Sequence, residues 1–446
     1  MTKKLISATA AAVVLVSASY AVHDLTGKHA DAAQQAPLGV GALAADVPAG
    51  GAETARLIGA YEAVARTHRD EGVDVMLGSL YLQRGRFTGD LGTYRQALAA
   101  ADGAARLAPR VGGTAALLAS ARFALHDWAG ARAAAEHAVA LDPRQQNAAL
   151  VVGDCDVETG RYADARAIYE RMAAAVPGSA SVTVRLARLA WATGDLAHAR
   201  HLATMAVALA PDNGASGATL AFYDVFASQL AIDAGDYVAA MRTARRATAA
   251  APDWHVAIAA AARASAAAGD LRGAIADYRR AAEIVPLPEY LSALGDLYRI
   301  TGRPAAAHDQ YSTVLAIARI AAAERHVYNR QIVLFAADHG VDLPLAVRLA
   351  RTELSIRRDA AGYDALAWAL HAAGRDPEAR PYSDRALAVS AVDPRFEWHA
   401  AAIAAGLGDR SRATALLTDL LHRTSQFDPL QSRRAASLLR ALEMGR

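Results

Sequence analysis

Pro109, Pro143, Pro177 and Pro211 stand 34 residues apart, and Pro252 and Pro286 are separated by the same interval. A short phrase recurs in step with them: Gly, then Asp or Arg, three residues, and Ala. It runs from Gly160 to Ala165, Gly194 to Ala199, Gly235 to Ala240, Gly269 to Ala274, Gly302 to Ala307, Gly374 to Ala379 and Gly408 to Ala413. His126 to Ala131 is a worn copy with His in the glycine's place. Length alone would suggest about three domains. A period of this kind instead dictates a stack of like units, each burying its apolar face against the next, so that one continuous core replaces separate ones.

The stretch around Gly295 reads as one such unit. Leu291, Leu294 and Tyr298 make an apolar stripe at helical spacing, and Gly295 is small where a second helix must come close. Gly302 suits the left-handed residue that ends a helix, and Pro304 suits the first turn of the next. Ala307 and Tyr311, four apart, lie on the face that folds back. The order aliphatic-x2-Leu-Gly-x2-Tyr…Ala-x3-Tyr, with Leu291 where Trp is commoner, resembles the tetratricopeptide repeat (TPR), whose period is also 34. The resemblance spans roughly residues 53–442. It implies an all-α, right-handed superhelical solenoid of about ten helix-turn-helix hairpins. It also suits a widespread group of bacterial exported TPR proteins of unassigned role.

Taken in order, Met1 to Ala21 reads as a secretory signal, with Lys3 and Lys4, an apolar run from Leu5 to Val16, and a small-x-small site at Ser19-Tyr20-Ala21. The alternative is an uncleaved membrane anchor. Both place the repeats outside the cytoplasmic membrane. Residues 22–51, rich in Ala, Gly and Pro, read as a flexible linker. Gly39 to Ala44 matches GxGxxA, but no strand precedes it and no βαβ unit follows. The solenoid is expected over 52–424, after a lead-in helix at Ala52 to Arg66. Its repeats fall near 73–109, 111–143, 146–177, 180–211, 221–252, 255–286, 288–321, 324–356, 360–391 and 394–424. In repeat 1, Gly78, Tyr81 and Gly85 are in register, and the Gly78-to-Ala97 gap is seven residues longer than elsewhere, about two helical turns of extra hairpin. Asp212 to Leu220 is an insertion, either a loop or a helix extension. Repeat 8 is irregular, with Gly340 as its turn and Ala346 as its small contact. Residues 425–446 should form a capping helix, starting at Ser425 and giving the open end a polar face.

Apolar residues make up 54% of the chain, much of it Ala, which favours helix and close helix packing. The formal charge of +2 comes from Lys3 and Lys4. Without residues 1–21, 45 basic residues (47 − 2) face 45 acidic ones. This gives no electrostatic case for nucleic acid or for a polybasic membrane patch. No HExxH, Walker loop, GxSxG or CxxC pattern occurs, and no catalytic residue, metal or cofactor is expected. His198 and His201 lack a third ligand nearby in sequence. Asp154, Asp156 and Glu158 lack the Gly and terminal Glu of a calcium loop. Cys155, the single cysteine, reads as a buried small hydrophobe.

In TPR proteins the first helix of each repeat lines a concave groove that holds a peptide or a partner's surface. Carried onto this register, the resemblance points Asp154, Glu158, Arg188, Trp191, Gln229, Asp233, Arg263, Asp296, Arg299, Trp368 and His371 inward, with Trp398 near Trp368. The polar members suit exposure, and Trp and Arg suit binding hot spots. The tryptophans could equally fill gaps between Ala-rich helices, and the charges could be a solvated face. The Lys/Asn/Arg clamp that some TPR grooves use for a C-terminal carboxylate cannot be placed. The expected function is a non-catalytic scaffold that binds a protein or peptide. The rivals are an envelope carbohydrate-binding or carbohydrate-acting protein and a cytoplasmic repeat sensor.

Overall fold

The computed structural model describes residues 52–323, 330–390 and 392–445. Residues 1–51, which carry the expected signal and linker, lie outside the described residues. Among the described residues the chain forms twenty-two α-helices and no strand. A lead-in helix α1 (Ala52–Thr67) precedes the hairpins α2 (Glu71–Thr88) with α3 (Leu91–Leu107), and α4 (Gly112–Ala124) with α5 (Trp128–Leu141). Then come α6 (Gln146–Glu158) with α7 (Tyr162–Ala175), α8 (Ala180–Ala192) with α9 (Leu196–Leu209), and α10 (Gly217–Asp233) with α11 (Tyr237–Ala250). They continue as α12 (His255–Ala267) with α13 (Leu271–Ile284), and α14 (Pro288–Ile300) with α15 (Pro304–Ala323). The last are α16 (Arg330–His339) with α17 (Leu343–Ile356), α18 (Ala360–Ala372) with α19 (Asp376–Val389), α20 (Pro394–Gly406) with α21 (Arg410–Arg423), and the single helix α22 (Gln431–Glu443). This is an all-α solenoid of helical hairpins.

The recurring phrase explains each hairpin's turn. All seven of its glycines take positive φ, between 72° and 89°, a left-handed conformation that costs a Cβ-bearing residue energy. In the worn copy His126 adopts it too, at φ 61°. The Asp that follows caps the second helix. Asp236, Asp270 and Asp409 each accept from the backbone N–H three residues on, at 2.9–3.2 Å. Where Arg replaces it, as at Arg161 and Arg375, no side-chain cap forms. The alanine that closes the phrase is buried in every copy: Ala165, Ala199, Ala240, Ala274, Ala307, Ala379 and Ala413 are at most 2% exposed. Close approach is also visible at Gly295, where an added Cβ would sit 2.3 Å from the Tyr311 ring, and at Gly153, 2.5 Å from the ring of Tyr169.

Two local expectations are corrected and a third, left open between a loop and a helix extension, is resolved. In repeat 1 the chain stays helical through Gly85, packed under the Tyr94 ring, and turns at Gly89 (φ 63°). The extra residues lengthen both helices, to 18 and 17 residues. The insertion after Pro211 divides into a turn and an N-terminal extension that makes α10 17 residues long. The last helix starts at Gln431 rather than Ser425, because Asp428 accepts from the N–H groups of Leu430 and Gln431 and nucleates it there, while Phe427 tucks into the core.

The chain divides into two compact units. One comprises residues up to Leu186 with Met205–Tyr223, and the other Ala187–Thr204 with Asp224 onward. The first unit's core is an alanine lattice filled by Leu77, Leu80, Tyr94, Leu117, Phe123 and Trp128. In the second, Trp368, Trp398, Leu417, Leu420 and Phe427 form one cluster, and Leu291, Val314, Ile317 and Phe335 another. Area burial of this kind, roughly 25 cal/mol per Å², is the main force holding hairpin to hairpin.

Candidate functional site

The first-helix residues singled out by the repeat register divide between the two units. In the first unit, Asp154 is 1% exposed. Its carboxylate accepts from the Tyr169 hydroxyl (2.6 Å) and from Arg185 Nε and Nη2 (2.9 and 3.0 Å), itself a fully buried guanidinium. Asp156 is held by Arg132 and Arg161 (3.0 and 2.6 Å), and Glu158 is buried. The acidic cluster is therefore core, not a partner-facing face. Between these acids Cys155 is fully buried, and burial together with the flanking carboxylates pushes its thiol far up, so it carries no reactive thiolate.

In the second unit the same face becomes a chain of hydrogen bonds. Trp191 Nε1 donates to Asp233 Oδ2 (2.9 Å), Gln229 Nε2 donates to Asp233 Oδ1 (2.8 Å), and Arg263 donates to Gln229 Oε1. Asp233 is buried, and burial, followed by the nearby Asp393 carboxylate, raises its pKa. Asp393 stays below the usual carboxylate range because Arg395 outweighs the cost of its burial. The end of α21 closes over this group. Arg423 Nη1 donates to the Asp233 and Val392 carbonyls (2.8 and 3.1 Å) and pairs with Glu397. Thr424 Oγ1 donates to the Ile232 carbonyl (2.9 Å), and Ser390 Oγ to that of Trp191 (3.1 Å).

Further along, Asp296 accepts from the Tyr311 hydroxyl (2.6 Å) and faces His339 at 3.5 Å. Trp368 is 5% exposed and lies between two imidazoles, stacked on His399 at 4.0 Å and on His371 at 5.0 Å, with Trp398 edge-on at 6.1 Å. Its Nε1 donates to Asp338 (2.9 Å), which also accepts from Gln431 Nε2 (3.0 Å). His399, buried, pairs with Asp364 at 2.9 Å.

The expectation of exposure thus fails for Asp154, Glu158, Asp233 and Trp368, because each has found an internal partner or a place in the core. Arg188, Trp191, Gln229, Arg263, Asp296 and His371 are half-buried, and Arg299 is exposed. The register missed Asp338, Arg395, Arg423 and Gln431. Asp338 sits on the first helix of the irregular repeat 8, where the pattern was weakest. Arg423 and Gln431 act on residues 190 and 93 positions away, beyond any local signal, while Arg395 pairs with Asp393 at the start of its own helix. Among the described residues no group of three His, Cys, Asp or Glu side chains could hold a metal ion, and no helix is long and apolar enough to cross a membrane. His198 and His201 are exposed.

A separate groove of about 840 Å³ opens on the second unit's surface, between the N-terminal half of α11 and the C-terminal end of α12. Tyr237, Val238, Met241, Arg242 and Arg245 form one wall, Ala267, Ala268 and Gly269 the other, and Gln426 closes one end.

With this geometry in view, likeness to known proteins is informative about fold. The family model described as "Tetratricopeptide repeat" matches residues 156–221. No curated protein matches the sequence. The structure is similar to human IFIT1 in a dimer with m7Gppp-AAAA, at TM-score 0.50 and 15% identity over 76% of this chain and 77% of that one. It is also similar to the type IV pilus biogenesis factor PilW, at TM-score 0.40 and 20% identity over 46% of this chain and 92% of that one. Yeast Tom70 aligns at TM-score 0.37 and 12% identity, covering 88% and 93%. The 34-residue period, the left-handed turn glycines, the buried phrase-closing alanines and the family match agree: the chain is a tetratricopeptide-repeat protein.

Proposed function

We propose that this protein is a non-catalytic scaffold that holds a protein or peptide partner on the first-helix face of its repeats. The supporting observation is the residue set on that face of the second unit. Arg299 is exposed, and Arg188, Trp191 and His371 are half-buried, so they can be reached without unfolding a hairpin. Trp and Arg in partly desolvated settings are the side chains that most often carry binding energy. The fully buried members, Asp233 and Trp368, hold this face in shape rather than touch the partner. We further propose that the protein works outside the cytoplasmic membrane, on the strength of the charged and apolar residues between Met1 and Ala21. A sugar-stacking site is not favoured, because the Trp368 and Trp398 rings face other side chains within the core.

The test is site-specific photocrosslinking in the native cell envelope, with the probe placed at Arg188, at Arg299, or at Arg319 on α15 as a reference. A common adduct from the first two positions and none from Arg319 is the expected outcome. Adducts from Arg319 alone would move the partner off the first-helix face.

A further inference from the structure

The groove beside α11 does not belong to the first-helix face, because α11 is the second helix of its hairpin. Tyr237, Met241 and Arg245 lie four apart, as do Val238 and Arg242, so two adjacent ridges of α11 look into the same space. Each ridge ends in a guanidinium about one helical turn, roughly 5 Å, beyond its last apolar residue, Met241 or Val238. Val238 is 78% exposed, the highest of the exposed large apolar residues. Ala267 and Ala268 keep the opposite wall low, and nothing lies within 4 Å of where a Gly269 Cβ would be. The wall is continuous with the closure inside the second unit, since the Tyr237 hydroxyl accepts from Gln426 N (2.8 Å) and pairs with Thr424. It is therefore a braced surface.

Charge marks the occupant. Arg200 and Arg246, close by, are ion-paired to Asp236 and Asp224. Arg242 and Arg245 are exposed and have no acidic partner among the described residues. α11 contains three arginines and no acid. In a chain whose charges otherwise balance, this is a local positive excess beside an apolar trough. An arginine pair one turn apart matches carboxylates, which guanidinium binds with two parallel hydrogen bonds.

We infer that this groove docks a peptide segment of a partner protein that presents an apolar side chain to Val238 and Met241 and adjacent carboxylates to Arg242 and Arg245. The apolar trough is of no use to a nucleic-acid backbone, and two cations are few for one. The surface is distinct from the first-helix face, so either can fail without the other.

The test uses the full chain and fluorescein-labelled dodecapeptides, read by fluorescence anisotropy. The probe is Leu-Glu-Glu repeated four times. Leu-Gln-Gln and Ser-Glu-Glu repeats keep one feature each, and phosphatidylglycerol vesicles serve as the lipid arm. The Leu-Glu-Glu peptide should bind at least tenfold tighter than either control peptide. R242E/R245E should weaken it at least tenfold, and Ala268→Trp, which fills the groove, should do the same. Arg319→Glu, a single charge reversal on α15, should leave it unchanged, with circular dichroism showing each variant folded. Equal binding of the Ser-Glu-Glu peptide would overturn the proposal, because bulk charge would then suffice. Binding to vesicles alone, no peptide binding, or indifference to both groove variants would overturn it as well.

Discussion

Asp154 and Arg185 show how a charged residue that looks available to a partner can instead hold the fold. The two are 31 positions apart, and together with Tyr169 and Ser181 they form a buried network in which each bond depends on its neighbours. A buried guanidinium left without its carboxylate is far more costly than an absent pair. Asp154→Ala should therefore destabilise the protein by about 3–5 kcal/mol, and Arg185→Met with Asp154→Leu by much less. Urea unfolding followed by circular dichroism checks both, and a double variant no better than Asp154→Ala would contradict this account. The sequence made Asp154 visible as a first-helix position, but a one-dimensional pattern does not say where a side chain's partner lies. Its burial was illegible for that reason, as was that of Asp233, whose indole donor Trp191 is 42 residues away.

At the scale of the element the sequence was far more readable. A turn that needs positive φ selects glycine, a helix start selects Asp, and a close crossing selects Gly or Ala, so each constraint leaves a residue at a fixed place. Two of these can be measured. Asp270→Ala removes the acceptor for Gly273 N and should cost about 1 kcal/mol. Gly295→Ala places a methyl group against the Tyr311 ring and should cost about 1–3 kcal/mol by overpacking. Denaturant midpoints report both, and a neutral Gly295→Ala would show that Tyr311 can swing aside. The sequence misplaced the turn of the first hairpin because Gly85 and Gly89 compete for it. Either could end the helix, and the packing of Gly85 under Tyr94 decides. The last helix starts late for a similar reason, since the Asp428 cap outranks helical propensity before it.

At the scale of the whole molecule, the second unit carries a store of carboxylates that resist ionisation. Burial pushes Glu289 and Asp296 up to about 7 and Asp338 up to about 6, and raises Asp233 as well. These groups hold protons in the folded chain that the unfolded chain has already lost, so stability falls as pH rises from the ordinary carboxylate range through about 7. Two histidines oppose them at lower pH. Burial lowers His255 to about 3 and His339 to about 4, which withdraws stability as pH drops below the ordinary imidazole value. Above that value only the acids count. The melting temperature should therefore rise as pH is lowered from 8 to 6.5, and E289Q/D296N, which removes two of the groups raised to about 7, should flatten more than half of that slope. A melting temperature that is flat or falls over this interval in the parent protein would refute the assignment. None of this was legible in the balance of 45 acids against 45 bases, because the shifts come from burial of these carboxylates between packed helices rather than from composition.

The closure of the end of α21 over Asp233 has a consequence for synthesis. The Ile232 carbonyl receives Thr424 across 192 positions, and Asp233 waits equally long for Arg423. A ribosome adding roughly 5–20 residues per second takes about 10–40 s to supply the missing hydroxyl and guanidinium. During that interval the middle repeats can already be helical while their polar edge stands bare. Only the last repeats to emerge supply the groups that satisfy that edge.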